Sequence, residues 1–266
     1  MPKQKKKPTK FSMSRYGIIS DIHGNSHALM AVYDRLGEMK VDRIICLGDI
    51  VGYGPSPAQC LDLVLSYCDE VVRGNHDEAA LDPDLGKFFN NAALAALNWT
   101  RDQLGPYHLH ALSHMKTRIR LGDALLLVHD TPALHERAYV HEIEHAVEAF
   151  ESLDEGICLH GHTHLPTVFS APITEATLDN VVFQIPTDGE TIVLDPKQRH
   201  LCNPGAVGQP RDSDARASFA LLEYTSPDAE AFFTVHRTEY DIAAAQEATE
   251  KAGLPSILAE RLSMGA

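Results

Sequence analysis

The sequence predicts an α/β fold built from two facing mixed β-sheets, each covered by helices. Three observations support this. The first third alternates short apolar runs with amphipathic stretches in a βαβαβ rhythm, which implies parallel strands joined by right-handed crossovers. Beyond residue 164 the pattern becomes all-β, with short strands set between turn residues. Between these regions, the loops that follow apolar runs collect Asp, Asn and His, as loops at the carboxyl ends of parallel strands do.

In order, residues 16–20 read as a short strand and 28–37 as a helix with Leu29, Val32 and Leu36 on its apolar face. Residues 43–47 make a second strand. Pro57 opens a helix whose apolar face includes Leu61, Val64 and Leu65. Residues 70–73 form the third strand. Residues 90–114 are helical with a break at Gly105-Pro106, and 118–120 and 124–128 flank the hairpin turn Gly122-Asp123. An amphipathic helix over 141–152 precedes the strand 157–159. Strands follow at 168–169, 181–183, 191–194, 218–222 and 232–235, then closing helices at 241–251 and 255–264. Residues 172–189 read as a surface extension. A single domain over 15–266 is expected, preceded by a basic, disordered leader over 1–14.

Composition narrows the function. No stretch approaches the roughly 20 apolar residues of a membrane span. The formal net charge is −14 although the first ten residues hold five lysines, so the body is more acidic still and disfavours duplex nucleic acid. No apolar region follows the lysines, so no signal peptide is expected. Five cysteines without metal-type spacing read as free thiols of a reducing cytosol, which predicts a cytoplasmic protein. Homo-oligomerisation is left open.

Five blocks place metal-ligand side chains in a regular order: Asp21-Ile22-His23, Gly48-Asp49, Gly74-Asn75-His76-Asp77, His129 and Gly161-His162-Thr163-His164. Each follows a predicted strand. Mixed carboxylate and imidazole donors suit Mn²⁺, Fe or Zn²⁺ better than Mg²⁺ or Ca²⁺. Asp49 has two oxygens and can bridge two ions roughly 3.5–4 Å apart, while Asn75 adds a neutral carbonyl oxygen. Any one block alone is ordinary loop chemistry. All five together point to a two-metal hydrolase.

These blocks closely resemble the calcineurin-like metallophosphoesterase superfamily. The compact prokaryotic phosphodiesterase branch is the nearest in pattern, through Asp21-Ile22-His23-Gly24-Asn25, Val51-Gly52-Tyr53-Gly54-Pro55, Arg73-Gly74-Asn75-His76-Asp77 and Asn203-Pro204-Gly205-Ala206-Val207-Gly208-Gln209-Pro210-Arg211. The resemblance implies a four-layer α/β/β/α sandwich and two divalent transition-metal ions (Mn, Fe, Ni or Zn, with Mn expected in vitro). Asp21, His23 and His164 would hold one ion, Asn75, His129 and His162 the other, and Asp49 both. His76 would protonate the leaving group, with Asp77 orienting its imidazole. A metal-bridging hydroxide would attack phosphodi- or phosphomonoester bonds of a small nucleotide-like substrate. Alternatives are a dinucleoside-polyphosphate hydrolase, a protein phosphatase, or a non-catalytic protein-binding scaffold like the retromer subunit of this fold.

Two departures stand out. Asp130 follows His129 where Gly is expected, and Val51-Gly52-Tyr53-Gly54 replaces the Arg-containing context of protein phosphatases. Arg211, on a turn-rich loop, is the candidate phosphate-contacting cation, against pairing with Asp212 or Asp214. Asn25 is a candidate for lining the pocket, against capping the next helix. Tyr53 is a candidate for stacking on a ring of the substrate, against anchoring its loop. His108, His110, His114, His135, His141 and His145 read as surface residues.

Overall fold

The computed structural model describes residues 13–133 and 139–266. Most of the expected leader, and His135, lie outside the described residues. Ser14, assigned to the leader from sequence, already opens the first strand.

Twelve strands occur among the described residues. They are β1 (Ser14–Ile19), β2 (Arg43–Cys46), β3 (Glu70–Val71), β4 (Arg118–Leu121), β5 (Leu125–Val128) and β6 (Ile157–Leu159), followed by β7 (Pro166–Pro172), β8 (Val182–Gln184), β9 (Thr191–Leu194), β10 (Gln198–Pro204), β11 (Ala217–Tyr224) and β12 (Ala231–Thr238). The α-helices are α1 (Ser26–Met39), α2 (Pro57–Tyr67), α3 (Asn75–Leu81), α4 (Asn91–Gln103), α5 (Pro106–His114), α6 (Ile143–Glu151), α7 (Ile242–Lys251) and α8 (Ser256–Met264). One sheet has the order β3-β2-β1-β11-β12-β9 and the other β4-β5-β6-β10-β7-β8. Both are mixed: β1, β2 and β3 run parallel, as do β5, β6 and β10, while the remaining pairs are antiparallel.

Side-chain alternation sorts the apolar residues into layers. Ile18, Ile45, Leu125, Leu127, Val168 and Phe233 fill the space between the sheets. Their neighbours Ile19 and Cys46 point outward against Leu29 and Val32 of α1 and Leu61 of α2. On the far side Leu126, Phe169 and Leu201 meet Phe150 of α6. Phe150 and Phe169 are fully buried, and each such side chain contributes ~1.5–3 kcal/mol. The layers are therefore α/β/β/α. Strands buried on both faces read as continuous apolar runs, which is why β2 and β5 were visible in the sequence.

Three elements depart from expectation. The third strand is only two residues long, and Val72 forms a single bridge to Lys116. Helix α3 was not foreseen. It starts because the carboxylate of Asp77 accepts the Gly74 N–H at 2.9 Å, satisfying one of the orphan donors of a first turn. Strand β10, between β6 and β7, was also missed because Arg199, His200 and Asn203 break its apolar pattern. These polar groups are paired: His200 with Ser170 Oγ at 2.8 Å, and Arg199 with the Leu153 carbonyl at 3.0 Å. The 172–189 extension contributes β8, an edge strand with exposed Val182 and Phe183.

Candidate metal centre

Every block foreseen from sequence lies just beyond the carboxyl end of a parallel strand. Asp21 and His23 follow β1, Asp49 follows β2, Asn75 and His76 follow β3, His129 follows β5, and His162 and His164 follow β6. The two sheets aim these loops at one buried point. All eight residues are 9% exposed or less.

The backbone there is held in rare conformations. Of the eight non-glycine residues with positive φ among the described residues, five are Asp21, His23, Asp49, His162 and His164. Such conformations cost ~1–3 kcal/mol each and persist where surrounding structure enforces them. Close approach enforces them here. A side chain at Gly74 would strike the Asp49 carboxylate, and one at Gly161 would strike Ser20 and Asp21.

Hydrogen bonds fix the imidazoles. Nδ1 of His23, His129 and His164 lies 3.2, 2.7 and 2.5 Å from the carbonyls of Val51, Leu47 and Gln209. A carbonyl only accepts, so each Nδ1 carries a proton and each Nε2 is the nitrogen turned inward. Nε2 of His23 and of His164 stand 3.1 Å apart. Two lone pairs facing one another at this distance repel unless a cation lies near both. Nε2 of His162 is buried with no hydrogen-bond partner. This donor set fits transition-metal ions.

Two groups of donors emerge. The ligand atoms of Asp21, His23 and His164 lie within 4.8 Å of one another, as do those of Asp49, His129 and His162. Asn75 Oδ1 is 3.2 Å from His129 Nε2 and joins the second group. Asp49 connects the groups through one oxygen. Its Oδ1 accepts the His76 N–H at 2.8 Å, and its Oδ2 lies 3.7 Å from His23 Nε2 and 3.2 Å from His129 Nε2.

The electrostatics agree. Burial, together with the positive field of His129, pushes His162 down to about 3, and burial lowers His23 and His164 strongly, so their lone pairs stay available. Burial raises Asp21 to about 6. Burial also opposes charge on His129 and on Asp49, but their mutual attraction prevails: His129 rises to about 10 and Asp49 falls well below the carboxylate range. Without a cation, a proton between His129 and Asp49 stands in for one.

His76 belongs to this centre, a ring nitrogen lying within 4.8 Å of the ligand atoms of His23 and Asp49. Its ring packs 4.4 Å from Phe89, 4.6 Å from Tyr53 and 4.8 Å from His23, centroid to centroid. Asp77 Oδ1 accepts from the N–H groups of Ile50 and Val51 and its Oδ2 from Gly74, so it clamps two ligand loops together beside His76.

Two of the substrate candidates change role. Asn25 caps α1 through Oδ1 to the Ala28 N–H and donates through Nδ2 to the Gly208 carbonyl, which uses its amide for structure. Tyr53 is 8% exposed, wedged against His23 and His76 and against Ala96 and Leu258, and so anchors its loop. Arg211 is not paired with Asp212 or Asp214. Those carboxylates engage Arg237 and Arg216, while among the described residues Arg211 Nη2 donates to Gln209 Oε1 at 3.3 Å.

Sequence reasoning missed two participants, Tyr139 and Asn203. The ring of Tyr139 stacks on His162 at 4.1 Å and 14°, an exposed aromatic that no motif marked. Asn203 donates to the Gly161 carbonyl and Thr163 Oγ1, holding the His162–His164 loop; its Asn203-Pro204-Gly205 context was the available signal. Asp130 accepts from the Thr131 N–H and lines a cleft of about 410 Å³ with Arg73, Asn75, Arg118 and His129. Elsewhere His108 meets Asp62 and His110 stacks on His114. His141 and His145 approach Glu142 on the surface, outside the buried centre.

Comparison with known proteins agrees with this geometry. Residues 15–227 match the calcineurin-like phosphoesterase superfamily domain. An uncharacterised protein of Methanocaldococcus jannaschii is 32% identical over 255 residues, covering 95% of this chain and 98% of that one. The crystal structure of a metallophosphoesterase from Sphaerobacter thermophilus superposes with a TM-score of 0.81 at 40% identity, over 96% of this chain and all of the other. A hypothetical protein from Pyrococcus horikoshii OT3 shares the fold at 17% identity, with a TM-score of 0.72 over 95% and 99% of the two chains.

Proposed function

Because the chain belongs to the calcineurin-like phosphoesterase superfamily and is a phosphoric ester hydrolase, we propose that it cleaves phosphodi- or phosphomonoester bonds of a small nucleotide-like substrate at a dinuclear centre. Asp21, His23 and His164 would hold one ion, Asn75, His129 and His162 the second, and Asp49 would be shared by both. Mn²⁺ is the ion proposed for activity in vitro, among Mn, Fe, Ni and Zn. When bound, two such cations offset the charge of the phosphoryl group and lower the pKa of water at the site.

The observation that carries this reading is the set of three Nδ1–carbonyl anchors, which turn three Nε2 nitrogens inward around one shared carboxylate. The protein's own residues supply the rest. His76, beside His23 and walled by Phe89 and Tyr53, is placed to hold a proton for the departing oxygen. General acid assistance of this kind is worth ~10²–10⁴-fold. The 410 Å³ cleft at Asn75 and His129 has the volume of a small-ligand site and receives the substrate beside the second group of donors. Arg211 provides positive charge near Asp21 and His164 for a phosphoryl oxygen.

No helix among the described residues is long and apolar enough to cross a membrane. All five cysteines are free, which supports a reducing, cytoplasmic setting.

The test is metal-free protein reloaded separately with Mn²⁺, Fe²⁺, Ni²⁺, Zn²⁺ and Mg²⁺. It is then assayed on mononucleotides, cyclic nucleotides, dinucleoside polyphosphates and phosphopeptides. Metal-dependent turnover of small nucleotide esters is expected. Two bound ions with no turnover on any substrate would favour a binding scaffold instead.

A further inference from the structure

Among the described residues, one group of metal-ligating side chains stands apart from the buried centre. One ligand atom from each of His141, Glu142 and His145 lies within 4.8 Å of the other two. The three meet at the start of α6, where Glu142 stands just before the first helical residue and His145 is the third within the helix. His141 precedes the helix by one more position, and its ring lies 4.8 Å from that of His145, centroid to centroid. His141 and Glu142 are exposed, so an ion reaches them directly from solvent.

Local structure leaves these donors unused. A side-chain oxygen at the head of a helix can accept a first-turn N–H, yet Glu142 makes no such bond. Its Oε1 stands instead 3.7 Å from His141 Nε2, beyond hydrogen-bond range. Nδ1 of His145 is shut off from water with no hydrogen-bond partner, a state that buried polar atoms rarely keep. Donors on a tetrahedral zinc ion, each about 2.0–2.2 Å from it, stand roughly 3.4 Å from one another. The gap of 3.7 Å is thus too wide for a hydrogen bond and close to the spacing of two ligands. Two imidazoles and a carboxylate suit Zn²⁺, with a fourth position for water. The other histidine-rich patch lacks this arrangement: His114 Nδ1 is spent on the His110 carbonyl, and His108 on Asp62.

We propose that His141, Glu142 and His145 form an outer site for a single Zn²⁺ ion. The site touches the buried centre through one residue. Tyr139 meets the His141 ring edge-on, at 6.1 Å and 77°, and lies flat on His162 at 4.1 Å and 14°. An ion that fixes His141 therefore also fixes the ring against which Tyr139 packs, and braces Tyr139 over His162. The ligand set lies outside the buried centre, so this inference stands apart from the phosphoesterase reading.

The experiment is calorimetric titration of the metal-stripped full chain with Zn²⁺, with bound metal counted by elemental analysis. Three ions per chain are expected, two in the buried centre and one outside. His145→Gln and Glu142→Gln should each weaken the outer ion at least ~10-fold and leave the other two unchanged, since even a residue that merely orients a ligand is worth this much. His110→Gln should change nothing. Hydrogen exchange over residues 139–145 should slow when zinc binds the wild type, and not when it binds His145→Gln. Circular dichroism checks folding, and Glu142→Gln, a change at an exposed carboxylate, carries the test if His145→Gln does not fold. Two zinc ions on the wild type, or three that survive both substitutions, overturn the site. So does a third ion lost through His110→Gln, or a His145→Gln protein that loses the buried ions as well. Exchange that zinc leaves unchanged overturns the bracing of Tyr139. One zinc ion on the wild type, lost in His145→Gln, sustains the outer site while the dinuclear reading fails.

Discussion

The metal cage and its rim are built in opposite ways. Cage residues sit on loops with enforced positive φ, each His129-type ring fixed by a carbonyl and each carboxylate by main-chain N–H groups. Rim residues such as Tyr139 and Arg211 reach out from less constrained positions and touch the cage by stacking or charge. Under the proposed function the difference separates chemistry from selectivity: the cage would determine that a phosphoryl group is attacked, and the rim would determine whose.

Breaking the cage should therefore have the largest effect. Asp49→Asn is expected to empty both metal positions, lowering affinity by more than ~10²-fold, because even residues that merely orient a ligand cost 10–100-fold. Elemental analysis showing two ions retained would contradict the shared-carboxylate reading. Next comes His76→Ala, which should keep the metals but slow hydrolysis of an alkyl ester by ~10²–10⁴-fold and of a nitrophenyl ester much less. Equal losses on the two esters would argue against a proton donor.

A third measurement separates the cage from its metals. In metal-free protein His129 is raised from 6.5 to about 10 against burial, chiefly by the charge and hydrogen bond of Asp49. A raised basic group stabilises the fold below its unfolded pKa, and that contribution is lost as pH rises towards the folded value. Stability of the metal-free protein should thus fall between pH 7 and 9, by about 1.4 kcal/mol per pH unit at most for one proton. His23, His162 and His164 are lowered, and above about pH 8 they are neutral in both states and add no slope; nearer pH 7 their residual charge in the unfolded state opposes the fall. Asp77, raised to about 7 by burial and the nearby Asp49, adds to the fall near neutrality. Loading with Mn²⁺ occupies His129 Nε2 and should flatten the profile, as urea titrations across this range would reveal.

The smallest effect is expected at Asn25. As a helix cap its replacement by Ala should cost about 1 kcal/mol in urea denaturation and change KM by less than about twofold. A large rise in KM would return Asn25 to the substrate.

The same division governs what could be read from sequence. Asp21, His23, Asp49, Asn75, His129, His162 and His164 were legible because a metal site needs specific donor atoms at strand ends, and strands buried on both faces announce themselves as apolar runs. Helix α3 and strand β10 were not, since the first starts on a side chain folding back to Gly74 and the second hides buried His200 and Asn203 behind hydrogen bonds that only the tertiary fold supplies. Tyr139 carries no motif, because stacking depends on which loops meet in space. Asp77 was found, but sequence adjacency to His76 could not tell that its oxygens turn to the N–H groups of Ile50, Val51 and Gly74.

The Nδ1 proton of His129, a residue on the β4–β8 sheet, is donated to Leu47, a residue on the β1–β3 side. The loops after β1 to β3 carry one of the four cage imidazoles, His23, and the loops after β5 and β6 carry the other three. Under the proposed dinuclear reading, neither sheet alone would hold a pair of cations. Metal stoichiometry in a purified sample would then double as an audit of how many molecules have joined their two sheets.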